Sequence, residues 1–168
     1  AGSRYSQKLG TPGGYDMPEV GLLDPQQRGY VRVLELGFPQ TEPVDSLSWS
    51  PDGARLAILA PEFFEIWDMA SVQRLTHQSL PYGAPMSIRY SPNGKYLVIH
   101  SFIGSYGPKP GFGVLIWDGT ADKLLQTIPG DAAGIAISRD SRYLAIAKRG
   151  RIEIWQFKQS SSEGTGQQ

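Results

Sequence analysis

One unit of three short strands and two turns is written three times along this chain. The first copy runs from Asp45 to Asp68, DSLSWSPDGARLAILAPEFFEIWD. Leu47 and Trp49 alternate with Ser46, Ser48 and Ser50, the period-two pattern of a half-buried strand. Pro51, Asp52 and Gly53 make the next turn: proline presets φ, aspartate bonds its own backbone, and glycine takes positive φ without strain. Leu56 to Ala60 is a continuous apolar run bounded by turn residues, which suits a strand buried on both faces. Phe64, Glu65, Ile66 and Trp67 alternate again and stop at Asp68. The pattern predicts an antiparallel meander.

The second copy places Ile88 to Ile99 over the first two strands and Val114 to Asp118 over the third. The third copy uses Ile135 to Ile146 and Ile152 to Trp155. Ser50, Ser91 and Ser138 are equivalent, so the periods are 41 and 47 residues. From these serines to Trp67, Trp117 and Trp155 the spacing is 17, 26 and 17, which localises a nine-residue insertion within Ser101 to Gly113 of the middle copy. A period of this length with strand content is the signature of a β-propeller blade. Ser50 to Gly53 followed by Ile66 to Asp68 resembles the WD40 repeat, and Ser91 to Gly94 with Ile116 to Asp118 matches nearly as well. In the third copy Ser138 to Ser141 and Trp155-Gln156 depart from that pattern. All three copies lack the family's Gly-His dipeptide before the first strand and its Asp before the last, so no tetrad residues carry over. The SPDG turn by itself also occurs in TolB-like and YVTN-type propellers. The resemblance covers residues 31 to 157 and implies an all-β, WD40-like propeller segment.

Leu34, Leu75 and Leu125 each fall 12 or 13 residues ahead of an inner strand, at Leu47, Ile88 and Ile137, and mark a fourth, outer strand per repeat. The first of these, Gly29 to Phe38, precedes all three inner groups. The reading is therefore about three four-stranded antiparallel blades over residues 29–158, twelve strands in all, offset by one strand. Residues 1–28 hold much of the chain's early Gly and Pro and read as a flexible arm; residues 159–168, rich in Ser, Gly and Gln, read as a disordered tail. Propellers close with four to eight blades. Three leave apolar faces and strand edges to be covered. The expected cover is a second copy, giving a homodimeric ring, or a partner chain or further segment in a hetero-assembly. The expected seam is Tyr30, Val31, Val33, Leu34 and Leu36 on one side, and Ile152, Ile154 and Trp155 on the other.

Chemistry is sparse. With 16 basic and 16 acidic residues there is no global field to attract nucleic acid, and there are no cysteines for a thiolate metal site or nucleophile. His77 and His100 lack ligand-like spacing, so no metal is expected. No GxSxG elbow occurs, and Asp68 and Asp118 read as turn residues bonded to backbone. Arg139, Arg142, Lys148, Arg149 and Arg151 read as solvated charge split between two turns. Trp49, Trp67, Trp117, Trp155, Tyr90, Tyr96 and Tyr143 recur at blade positions and read as packing residues. The glycine-rich insertion has no following Lys-Ser/Thr, and its prolines remove backbone donors, so it does not read as a nucleotide loop; it is either an ordinary insertion tolerated at the rim or a protein-binding loop, whose candidate residues are Phe102, Tyr106, Lys109 and Phe112, with Tyr82 beside it. No apolar run is long enough to cross a membrane as a helix. The sequence starts without Met or a charged-then-apolar leader, which fits a processed or trimmed chain and leaves cytosolic (slightly favoured) and exported compartments open. The functional expectation is a non-enzymatic protein–protein interaction or assembly module without a cofactor. The alternatives are a ligand- or cofactor-binding propeller whose site forms only in the complete ring, or a structural subunit of a larger complex.

Overall fold

The computed structural model describes residues 19–24, 29–35, 43–81, 84–102 and 113–157; for the first two strands this is the backbone and the Leu34 side chain. Among the described residues there is no helix, and thirteen strands form antiparallel sheets. A hairpin of β1 (Glu19–Asp24) and β2 (Gly29–Glu35) comes first. The first full sheet follows in the order β3 (Ser46–Trp49), β4 (Arg55–Leu59), β5 (Phe63–Asp68), β6 (Gln73–Ser79). The second sheet repeats it with β7 (Ala84–Tyr90), β8 (Tyr96–Phe102), β9 (Val114–Asp118) and β10 (Leu124–Ile128). The third has only three strands, β11 (Gly134–Ile137), β12 (Tyr143–Lys148) and β13 (Arg151–Gln156). The sheets stack in chain order, an arrangement consistent with a propeller-like fold. Strand β1 lies within the stretch that the sequence reads as a flexible arm: EVGLLD pairs with one edge of β2, from Glu19 opposite Glu35 to Asp24 opposite Gly29.

The same hydrogen bonds close the first turn of each repeat. Ser50 Oγ donates to Asp52 Oδ1 (2.5 Å) and accepts the Arg55 N–H (2.9 Å). Ser91 does the same with Asn93 (2.8 Å) and the Tyr96 N–H (3.0 Å). Ser138 uses Asp140 (2.6 Å) and the Tyr143 N–H (2.9 Å), so the third turn keeps the geometry although its sequence departs. Ser141 there takes the positive φ that Gly53 and Gly94 take in the other two. The turn serine's bond is the first cause holding the Asp52 and Asp140 carboxyls below their ordinary range.

Each sheet interface has its own apolar layer. Ala57, Leu59, Phe64 and Ile66 of the first sheet meet Ile88, Tyr90, Leu97, Ile99, Leu115 and Trp117 of the second, with Phe64 edge-on to Trp117. The second sheet's other face, with Val98, Val114 and Ile116, meets Leu144 and Ile146 of the third. On the first sheet's other face Leu56, Ile58, Ala60 and Phe63 enclose Leu34 of β2. Polar bridges fix the stacking: Ser46 and Ser48 of β3 accept the N–H groups of Ile88 and Tyr90 in β7, at 3.3 and 3.0 Å. Leu56 to Ala60 are fully buried, as the apolar run predicted.

The outer strands β6 and β10 share an irregularity. Opposite Trp67 and Trp117 the register skips one residue, leaving Leu75 and Leu125 outside the pairing. Both are exposed, whereas Leu34, assigned to the same position in the sequence, is buried. An extra residue in a bulge turns its side chain off the alternating pattern.

Candidate assembly surface

Cross-strand partners lie on one face of a sheet. In the third sheet Tyr143 is opposite Gln156, Ala145 opposite Ile154 and Ala147 opposite Ile152, while Ala136 is opposite Ala145. These residues make one face, apolar except for Gln156. Leu144 and Ile146, one step away, make the other face, which is buried against the second sheet. Local sequence explains this division. The alternation in β12 puts Leu144 and Ile146 inward and Tyr143, Ala145 and Ala147 outward, and the isoleucines of β13 lie opposite those alanines.

Ile66, Ile116 and Ile154 are the equivalent residue of the three repeats, each immediately before its tryptophan. The first two are 0% and 5% exposed; Ile154 is 65% exposed. Phe64 and Val114 are likewise buried, but their counterpart Ile152 is 71% exposed. The first and second sheets therefore each cover this face with the next sheet in the chain. Among the described residues nothing covers it on the third, nor does any strand pair with the far edge of β13.

The face of β13 towards the second sheet is polar. Glu153 binds Lys148 (3.0 Å), Arg151 (2.8 Å) and the Trp155 indole N–H (3.2 Å). The Lys148 bond, then those from Arg151 and Trp155, bring the Glu153 carboxyl down to about 2. The first repeat has the same Glu-Ile-Trp sequence: Glu65, fully buried, accepts from Trp67 (2.8 Å) and Arg74 (2.8 Å) and sits 3.0 Å from His77 Nδ1. In the second repeat Leu115 stands in place of the glutamate, and among the described residues the buried Trp117 indole N–H has no hydrogen-bond partner. Glu65 and Glu153 lie within strands β5 and β13. The signal was the repeated Glu two residues before Trp.

Ile152 and Ile154, expected at the seam, come together on the open face. Trp155 does not: period two places it on the opposite side, beside Glu153. Tyr30, Val31, Val33 and Leu34 lie in β2, at the other end of the stack, with Val31 at the register shift and Leu34 1% exposed under the first sheet. Leu36 lies outside the described residues, as do Tyr82, Tyr106, Lys109 and Phe112 of the expected loop site. Phe102 ends β8, its backbone opposite Ala84. Trp49, Tyr143 and Trp155 are partly exposed, against the expectation of packed rings, while Tyr90 and Trp117 are buried.

His77 and His100 are apart in role as in sequence. His77 stacks on Phe63 (4.7 Å) above Glu65. His100 Nδ1 and Ser87 Oγ are 2.7 Å apart and both residues are buried; burial, then the nearby Arg89 charge, lowers the imidazole below its ordinary value. Among the described residues no three His, Asp or Glu side chains are grouped as a metal site, and no helix is long and apolar enough to cross a membrane. Asp68 and Asp118 accept backbone N–H groups of Ser71 and Asp122 in their turns, at 2.7 and 3.0 Å. Comparison with protein-family models gives no match, and no curated protein matches the chain.

Proposed function

We propose that this chain is a non-enzymatic protein–protein interaction and assembly module on a WD40-like propeller segment, and that it docks through the outer face of its third sheet. The observation that carries the reading is the exposure of Ile152 and Ile154 where the equivalent residues of both other repeats are buried. Each isoleucine left in water forgoes about 2 kcal/mol of burial. An apolar patch of this kind, continuous with a strand edge that pairs with nothing among the described residues, is what an interface presents before its partner arrives. Main-chain groups of β13 supply affinity, and the alternation of isoleucine and alanine supplies register.

The test compares the wild-type chain with Ile154→Asp, using light-scattering mass over a dilution series and binding of a hydrophobic dye. The expected result is a wild type that either associates or binds the dye, and a folded Ile154→Asp at 18.4 kDa that does neither. A folded wild-type monomer binding no more dye than Ile154→Asp would overturn the reading.

A further inference from the structure

We propose that the slot between β7 and β11, the first strands of the second and third sheets, is a carboxylate-binding site whose donors are Arg89 and the outward N–H groups of Ile135 and Ile137. The slot is separate from the open face of the third sheet, and the inference does not rest on the reading of that face.

The first and second sheets show how the equivalent position closes without a ligand. Strand alternation sends every second N–H of an edge strand away from its own sheet. In β7 these are the N–H groups of Ile88 and Tyr90, and the hydroxyls of Ser46 and Ser48 on β3 accept them at 3.3 and 3.0 Å. The periods of 41 and 47 residues set Ser87 and Arg89 in the places of Ser46 and Ser48, and Ile135 and Ile137 in those of Ile88 and Tyr90. That closure is not repeated. Ser87 Oγ turns instead to His100 Nδ1, at 2.7 Å, and the guanidinium of Arg89 has donors only. In β11, the edge strand of its sheet, the Ser138 N–H bonds the Tyr143 carbonyl and Ala136 lies opposite Ala145, so Ile135 and Ile137 point their N–H groups outward. Among the described residues these two groups have no hydrogen-bond partner, and Arg89, which is exposed, has neither a hydrogen bond nor an ion pair.

Space and charge agree with this. Strands β3 and β7 run close together, whereas β11 stands farther from β7. Arg89 and Ser87 lie two residues apart on the face of β7 turned to the third sheet, with His100 opposite Ser87 and Val98 opposite Arg89. The corresponding residues are Ser46, Ser48 and Leu59 in the first sheet and Gly134, Ala136 and Ala147 in the third, so the fold itself requires no cation here. Burial, then the Arg89 charge, holds the His100 imidazole below its ordinary 6.5, and no carboxylate is among the causes. At mildly alkaline pH Arg89 is therefore the charge that a ligand in the slot meets. A single positive charge with backbone donors across from it matches a monoanion with two acceptor oxygens, which is a carboxylate. A phosphate dianion would leave one charge unbalanced beside the apolar side chains of Val98, Ile135 and Ile137.

The test titrates the isotopically labelled full chain, at mildly alkaline pH, with sodium acetate and separately with sodium chloride at equal ionic strength. Backbone amide and imidazole signals are followed by nuclear magnetic resonance. The expected result is a saturable shift of the Ile135 and Ile137 amides with acetate and not with chloride. Bound acetate should also raise the pH at which His100 titrates, because a nearby negative charge favours the imidazolium. Arg89→Gln should weaken acetate binding by roughly tenfold or more, and Arg89→Lys should retain part of it. Tighter binding of a capped peptide with one glutamate than of acetate assigns the carboxylate to a protein side chain; the reverse order assigns it to a free small acid. No saturable shift with acetate, equal shifts with chloride, or binding undiminished in Arg89→Gln would overturn the site. Phosphate binding more tightly than acetate would overturn the carboxylate as its ligand.

Discussion

At the residue scale, Glu65 shows how a single buried charge is held. Its carboxylate has no exposure, yet Arg74 and His77, which face it, are about half in solvent. Removing the carboxylate takes the acceptor from the Trp67 N–H and from Arg74. Glu65→Ala is expected to lower the unfolding free energy by about 3 kcal/mol in urea titration, and Glu153→Ala, whose carboxylate is partly in solvent, by much less. Acid acts through different groups. His100 has a folded pKa below its ordinary 6.5, so its neutral form contributes stability that is fully present above 6.5 and lost as pH falls through the folded value. Glu153 is depressed from 4.5 to about 2, and its contribution is present above 4.5 and fades towards 2. Thermal midpoints should therefore fall in two stages on acidification, and His100→Gln should remove the upper stage while sparing the lower. These residue roles were only partly legible. The period-two rule located Ile152 and Ile154 on one face, and applied consistently it also places Trp155 on the other. That Glu65 is buried was not legible, because its partners Arg74 and His77 come from a strand whose register is shifted by the bulge at Leu75.

At the element scale, the turns carry the regularity. The inner three strands of each repeat were legible because Ser-x-Asp or Ser-x-Asn fixes the first turn through local bonds, and in the first two copies Pro and Gly mark it. The outer strands were less so, since an extra residue breaks the alternation on which sequence reading depends; Leu75 and Leu125 point to water for that reason. The third turn keeps its geometry with Ser141 at a φ of 57°, where its Oγ also accepts the Asn93 N–H at 3.0 Å. Two effects oppose each other there. Ser141→Ala loses the bond and keeps the backbone strain, and should cost about 1 kcal/mol. Ser141→Gly loses the bond but relieves the strain, and should be closer to wild type. A larger loss for glycine than for alanine in denaturant titration would show that the strain argument is wrong. Gly119 fixes the next turn by close approach: a Cβ there would fall on the carbonyl oxygen of Gly94, and its own N–H donates to Lys95 (2.8 Å). Gly119→Ala should thus destabilise sharply, whereas Gly134→Ala, whose Cβ would meet open space, should leave the melting temperature unchanged or slightly raised.

At the scale of the whole molecule, the repeats are a controlled comparison written into one chain. Ile66 and Ile154 have the same neighbours in sequence, Glu before and Trp after, and differ in whether a sheet lies over them. A repeat's stability is the sum of its own bonds and those to its neighbours, so the same substitution reads out the neighbour. Ile66→Ser should cost about 3 kcal/mol, with a cavity and an unpaired hydroxyl between two sheets. Ile154→Ser should cost under about 0.5 kcal/mol in the dissociated chain, as for an exposed surface position. The difference should shrink as protein concentration rises. Association with the folded state alone stabilises by mass action, so the wild-type melting temperature climbs with concentration while that of Ile154→Asp stays level. Equal concentration dependence in the two proteins, measured by calorimetry over a hundredfold range, would mean that the face bearing Ile154 is not where the chain associates.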